Sequence, residues 1–359
     1  MDRQAKVRLY AGTYTRQGQS KGIYVYVFNP ADGSLKLHST EEHCNNPSFL
    51  SVDPVNKRVY ASNEMPNEAY VTSYSMDEEG DLKYLNRLET PGSGMCHISR
   101  SKEGSFLYCS NFLSGDLVCC ILDGNGFLDG VAGHVSHHGH SVHSKQRGPH
   151  IHQAVISPDG RFVFAADFGT DRVEAHPFDS RSGSLQDPTG YSGLSCEPGA
   201  APRHLLFYPN GRWVYLVTEL DNALLFCEYE PESGALNLKQ RIPVLSNVMQ
   251  MECKSAGIQL TQDGRYLYVS TRGCDTISRF TIDTITGEPK GPKVYPSLGQ
   301  GPRMFCFSPD YKYVIIANQQ TDNIAVCKFD PDTGEILEQC WDEKIPQPVF
   351  VEAVVLEDK

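Results

Sequence analysis

With 359 residues, 40% of them hydrophobic, the chain is long enough for two ordinary domains or one large repeat fold. Its formal charge of −12 argues against a nucleic-acid surface, which needs a basic face, and repels anionic ligands unless cations gather locally. No apolar run is long enough to span a bilayer, so no membrane contact is expected, and the polar opening Met1-Asp2-Arg3-Gln4-Ala5-Lys6 carries no secretory pattern.

The first predicted strand runs over Arg8-Leu9-Tyr10-Ala11-Gly12-Thr13-Tyr14, followed by strands over 22–28 and 34–37. From Asn46 to Leu337 one pattern then repeats six times, at a spacing of about 50 residues. The fourth copy is typical. His204 to Tyr208 reads as a strand, Asn210-Gly211 as the positive-φ pair of a tight hairpin, and Trp213 to Val217 as the returning strand. A third strand (Ala223 to Tyr229), the polar turn Pro231-Glu232-Ser233-Gly234 and a short fourth strand complete the unit. The hairpin signal recurs at Asp159-Gly160 and Asp263-Gly264, and more weakly at Glu103-Gly104 and Asp310-Tyr311. At the C-terminus Gln347 to Ala353 forms a spare strand, which supplies the one the N-terminal group lacks. The expected fold is therefore all-β: one domain over residues 1–359, a seven-bladed β-propeller with four antiparallel strands per blade. Pairing of the N- and C-terminal strands would close the ring and leave no open sheet edge.

Twelve cysteines do not read as a disulfide set, since most fall inside strands and no Cys-x-x-Cys occurs. Free thiols and a cytoplasmic location are expected.

Setting the six copies in register exposes two columns that vary while the scaffold repeats. The first reads Ser48, Cys96, His152, Arg203, Ala256, Arg303; the second reads Glu64, Phe112, Phe168, Glu219, Arg272, Gln319. One lies at the start of each innermost strand and the other just past the end of its antiparallel neighbour, so both should ring one mouth of the channel. His150 and His204 stand beside them. A wet mouth pairing its own charges is the plain alternative. Against it stands the gathering of Arg203, Arg272 and Arg303 on blades four to six of an acidic chain, since guanidinium forks suit a carboxylate or phosphate. Two further features read as structural. Asn63, Asn111, Asp167 and Asn318 recur one residue before the second column and should tie the backbone of the next blade. His134, His137, His138, His140 and His143 match neither finger nor helix spacing, and their loop is expected to shape the mouth rather than hold a metal. No nucleophile elbow and no phosphate-binding glycine loop occurs.

Tyr10-Ala11-Gly12-Thr13-Tyr14-Thr15, Ser20-Lys21-Gly22-Ile23-Tyr24, Asn46-Pro47-Ser48-Phe49-Leu50, Asn63-Glu64, Gln146-Arg147-Gly148-Pro149-His150-Ile151-His152, Pro202-Arg203-His204, Glu219-Leu220 and Ser270-Thr271-Arg272-Gly273 resemble, in order, the lactonase-type seven-bladed propellers. That family comprises bacterial-type 6-phosphogluconolactonases and fungal carboxy-cis,cis-muconate cyclases. The resemblance implies a catalytic group of His152, Arg203, Glu219 and Arg272; Glu64, His150, His204 and Arg303, at the same mouth, are expected to bind substrate. Cys274 departs from the histidine that often follows the Arg-Gly pair. The implied activity is hydrolysis of 6-phospho-D-glucono-1,5-lactone, with Arg203 or Arg272 on the oxyanion and His152 or Glu219 as the base. No metal or cofactor is called for, and a small anionic sugar lactone or related carboxylate is the expected partner, with no obligate protein partner. The alternatives are a muconate-type cycloisomerase, a lactonase for an unphosphorylated sugar acid, and a non-catalytic propeller scaffold.

Overall fold

The computed structural model describes residues 6–16, 18–187, 192–245 and 252–356. The polar opening, residues 1–5, lies outside them. Every regular element among the described residues is a β-strand, and they form seven sheets. Six sheets have four antiparallel strands in meander order. The third blade differs: its middle strand Arg172–Asp179 carries two short outer partners, Ser184–Leu185 and Gly193–Ser195. The ring closes as expected. Pro348–Leu356 pairs with Lys6–Thr13, with Leu9 opposite Ala353 and Gly12 opposite Phe350. No helix among the described residues is long and apolar enough to cross a membrane.

The central strands read as near-continuous apolar runs because both their faces are covered. Phe162–Asp167 and Trp213–Thr218 are buried throughout. Seven hydrophobic clusters occupy the seven seams between blades; Leu205, Leu216 and Leu225 of blade four, for example, pack on Phe164, Ala166 and Val173 of blade three. Each large side chain buried there contributes about 1.5–3 kcal/mol, so each blade is held chiefly by its neighbours.

The hairpin turns depart from expectation in one respect. Gly211 has φ 71, but Asn210 is not in the left-handed region. Tyr208 O accepts from Gly211 N at 2.9 Å, and Asn210 Oδ1 accepts from Arg212 N at 3.0 Å. The connection is a longer loop, a turn closed by one left-handed residue, rather than a two-residue turn needing two. In blade six Tyr311 holds the glycine position at φ 53, which explains the weak signal there.

Candidate active site

The first column owes its geometry to a backbone irregularity. In blade four Pro202 faces Thr218 and His204 faces Val217, so Arg203 is an extra residue with no cross-strand partner. Equivalent bulges fall at Cys96, His152 and Arg303. A bulge breaks the alternation of the strand and re-aims one side chain. Here it turns the first-column residue into the channel mouth. The second column is fixed by a repeated backbone bond to the residue two before the first column. Glu219 N donates to Ala201 O (2.8 Å), Glu64 N to Asn46 O (3.1 Å) and Phe168 N to His150 O (2.9 Å).

These devices bring Arg203, Glu219 and Arg272 into contact. Glu219 Oε2 accepts from Arg203 Nε at 3.0 Å and from an Arg272 terminal nitrogen at 2.8 Å. Arg203 is the largest fully buried side chain among the described residues. Burial lowers its pKa to about 9, helped by the Arg272 cation and opposed by Glu219, which leaves it charged at neutral pH. For Glu219, burial by itself would raise the pKa, but Arg272, Arg203 and Arg303 together hold it below the ordinary 4.5. Arg303 lies across the mouth with a looser partner, Glu64 Oε2 at 3.9 Å, and its guanidinium sits over the Tyr14 ring at 5.4 Å. Burial opposes the Arg303 cation, but Tyr14, Glu64 and Glu219 outweigh it and raise its pKa.

His152 is buried beside this cluster, its ring 5.1 Å from that of His204 and 5.5 Å from Phe112. Burial drives its pKa well below 6.5, and Arg203, His204, Arg303 and Arg272 push the same way. Its Nδ1 has no hydrogen-bond partner among the described residues. His152 is thus a neutral imidazole with a free ring nitrogen among cations. His204 is likewise held neutral by burial and Arg203, whose terminal nitrogen lies 3.3 Å from its Nε2. His150 stands apart. Its ring stacks on Phe112 at 4.7 Å and its Nδ1 is 2.7 Å from Phe112 O, which places it on the rim between blades two and three.

Two residues were missed by the sequence reading. Tyr14 donates its hydroxyl to Glu64 Oε2 at 2.7 Å. It occupies the second column of the closing blade, since Tyr14 N donates to Gln347 O as Glu219 N does to Ala201 O. The register that exposed Glu219 would have exposed it, had the count extended past the sixth copy. His97, buried and with its pKa held down to about 3 by burial and Arg203, has its ring 4.2 Å from that of Phe49. With Phe49, Phe350 and His204 it plugs the channel beneath the site. Below that plug, at the opposite mouth, is a cavity of about 720 Å³ lined in part by Arg100 and Glu352.

Two expectations need correction. Cys253 and Cys274 form a disulfide, Cα atoms 5.3 Å apart, beside Arg272. Pairing of Lys254 with Arg272 sets them side by side across a hairpin, a relation that their separation of 21 residues does not advertise. The recurring Asn/Asp column ties each blade to the connector arriving from the preceding blade, not to the next one. Asn111 bonds Pro91 O, Asn318 bonds Ser297 O, and Asp167 Oδ1 accepts from His150 N. The histidine run divides: His134 lies in the outer strand of blade two and bonds Asp116, and His137 bonds Asp167, while only farther along does Lys145 abut Lys254, which feels the charges of Glu219 and Arg272.

Comparison with known proteins agrees with this architecture. The family described as lactonase, 7-bladed beta-propeller, matches residues 8–353. The chain belongs to this family. A 6-phosphogluconolactonase of Bacillus subtilis is 29% identical over 343 residues, covering 95% of this chain and 97% of that protein. A 6-phosphogluconolactonase of Formosa agariphila is 28% identical over 349 residues, 96% of each chain. The periplasmic gluconolactonase of Pseudomonas aeruginosa superposes with a TM-score of 0.91 at 29% identity, over 98% of this chain and 100% of that one.

Proposed function

We propose that this lactonase-family protein is a single-domain hydrolase of sugar lactones, acting on 6-phospho-D-glucono-1,5-lactone. The observation that carries the reading is the mouth itself: three guanidiniums face two carboxylates beside a neutral, buried His152 with a free ring nitrogen. The surplus positive charge suits an anionic substrate, and the names of the Bacillus and Formosa relatives agree with it.

In this reading Arg303, only loosely paired, takes the phosphate, with Tyr14 and Glu64 setting its position. The lactone carbonyl oxygen rests against Arg203 or Arg272. His152 removes a proton from water as the water oxygen bonds to the carbonyl carbon, and the fixed guanidinium stabilises the oxyanion without reorganising. Collapse breaks the bond to the ring oxygen, which takes the proton back from His152. Glu219 serves as the clamp that holds Arg203 and Arg272 in place, because its carboxylate, bound to two guanidiniums and held below the ordinary 4.5, is a poor base. Anion binding also offsets the cations that depress His152, so its basicity rises when substrate is present.

A second reading, an unphosphorylated sugar lactone, is favoured by the Pseudomonas gluconolactonase. Acid release from phosphogluconolactone and from gluconolactone by the purified protein separates the two. No rate above spontaneous hydrolysis on either would refute both. Nothing in the comparisons favours the cycloisomerase or scaffold alternatives. Ten cysteines remain thiols, which supports a cytoplasmic location, while Cys253–Cys274 is the pair that does not fit it.

A further inference from the structure

Away from the mouth, two histidines and a glutamate converge in the seam between blades two and three. His137 directly follows the outer strand Leu128–Ser136 of blade two, anchored through its backbone N to Gly115 O at 2.9 Å. Glu174 and His176 lie on Arg172–Asp179 of blade three, two residues apart and so on one face of the strand. His137 Nε2 is 2.9 Å from His176 Nε2 and 3.5 Å from Glu174 Oε2, and His176 Nε2 is 3.9 Å from the same oxygen. Zinc–nitrogen bonds of about 2.0–2.1 Å at a tetrahedral angle put ligand atoms about 3.3 Å apart, inside this range. Both imidazoles are buried and Glu174 is half-buried.

The outer ring nitrogens decide what the inner ones can be. His176 Nδ1 is 3.1 Å from Gln186 O, a carbonyl that only accepts, so Nδ1 carries the proton and Nε2 of the neutral ring offers a lone pair. His137 Nδ1 is 2.9 Å from Asp167 Oδ2, and an ionised carboxylate only accepts as well. The two inner nitrogens, 2.9 Å apart and facing the Glu174 carboxylate, must therefore share a positive charge: a second proton on His137, or a cation held by both nitrogens and Glu174. Metal-ligating histidines characteristically donate their second nitrogen to a carboxylate or a backbone carbonyl, and here one does each. Asp167 adds an independent observation. Its column holds Asn63, Asn111 and Asn318 in other blades, and the acid stands where a histidine must be oriented.

We propose that His137, His176 and Glu174 bind one divalent cation of the zinc class, clipping the exit of blade two to blade three. Two imidazoles and a carboxylate are a zinc donor set, and half-buried Glu174 leaves room for water in the fourth position. The exposed His138, His140 and His143 are not part of it.

The test uses the full chain with any affinity tag removed, stripped with chelator, incubated with zinc and desalted. Elemental analysis should find one zinc per chain, zinc should raise the melting temperature, and Co2+ should give the visible absorption of a tetrahedral site. Glu174→Gln, which keeps the shape of the side chain, should weaken zinc binding by about 10–100-fold, and Asp167→Asn should do so through His137. A variant with His138, His140 and His143 all changed to Asn should retain the metal. The proposal is overturned if wild type retains no zinc, if Glu174→Gln retains it equally well, or if the triple variant loses it.

Discussion

Replacing Glu219 with Gln removes one negative charge from between two guanidiniums while keeping an acceptor oxygen and the volume. At an effective dielectric of 20, charges about 4 Å apart interact by about 4 kcal/mol, and Glu219 has two such partners, Arg203 and Arg272. Burying each ion costs several kcal/mol of that gain, and breaking a buried ion pair by removing one member typically costs about 3–5 kcal/mol. Scaled by about 2.1 cal/mol/K per residue over 359 residues, the melting temperature of Glu219→Gln should fall by about 4–7 °C. The same change leaves three cations against Glu64 alone, so anions should bind the variant more tightly. Inorganic phosphate at 100 times its Kd would return about 2.7 kcal/mol, or about 3–4 °C, and it should stabilise the variant more than wild type. Scanning calorimetry with and without phosphate measures both effects, and lactone kinetics should show lower kcat with stronger phosphate inhibition. A variant melting within 1 °C of wild type, with the same phosphate response, would refute the view of Glu219 as a charge clamp.

His152→Gln should lower kcat/KM by about 10²–10⁴ with the melt unchanged, and a loss of less than threefold would remove it as the base. Because burial and the arginines hold His152 well below 6.5 in the free enzyme, its active neutral form is present above that low pKa. The kcat/KM profile should therefore be flat from pH 6.5 to 8, and a rising limb centred near 6.5 would contradict this. Tyr14→Phe deletes the hydroxyl bonded to Glu64 and should raise KM about tenfold with a smaller effect on kcat, since a hydrogen bond to a charged group is worth about 1.5–3 kcal/mol. In the opposite cavity, burial raises Glu352 to about 7, partly offset by Val52 and Arg100. That carboxyl favours the fold below pH 4.5, and its contribution is lost as pH rises through 7. A dry site would give at most about 3 kcal/mol, and beside the open cavity about 1–2 kcal/mol is the total loss of stability expected between pH 4.5 and 8, which Glu352→Gln abolishes in urea melts. Denatured but unreduced protein should react as ten thiols, and reductant should lower the melting temperature by about 4 °C; twelve reactive thiols would deny the Cys253–Cys274 bridge.

The blades were legible because burial on both faces of Phe162–Asp167 and its counterparts demands the same apolar run in each copy. Closure was legible because the two ends each lacked what the other had. The turns were misread in detail, since Asp-Gly and Asn-Gly mark both a two-residue hairpin and a longer loop ending in one left-handed residue. The disulfide was not legible because Cys253 and Cys274 meet only through hairpin register. Tyr14 was missed because the closing blade is assembled from both termini, so its column is interrupted in the sequence.

What the columns meant chemically depends on a feature that hydrophobic pattern cannot carry. A regular strand would send Arg203 and His204 to opposite faces, one of them into a seam between blades. The bulge at Arg203 lets neighbouring residues both serve the channel: the guanidinium reaches Glu219 while the imidazole of His204 lies beside it. The same extra residue at His152 and Arg303 explains why functional groups can vary at one position while the apolar frame on either side does not. Blade three extends that logic outward. Asp167 fixes the backbone of His150 through Oδ1 and orients His137 through Oδ2, so one carboxylate joins the strand that carries His152 to the seam where two histidines and Glu174 converge. Asparagine at this position, as in Asn63 and Asn111, could do the first task but could not supply an ionised acceptor for the second. A site-bearing blade and its outer clip thus share one side chain, and a change at Asp167 should be felt at both.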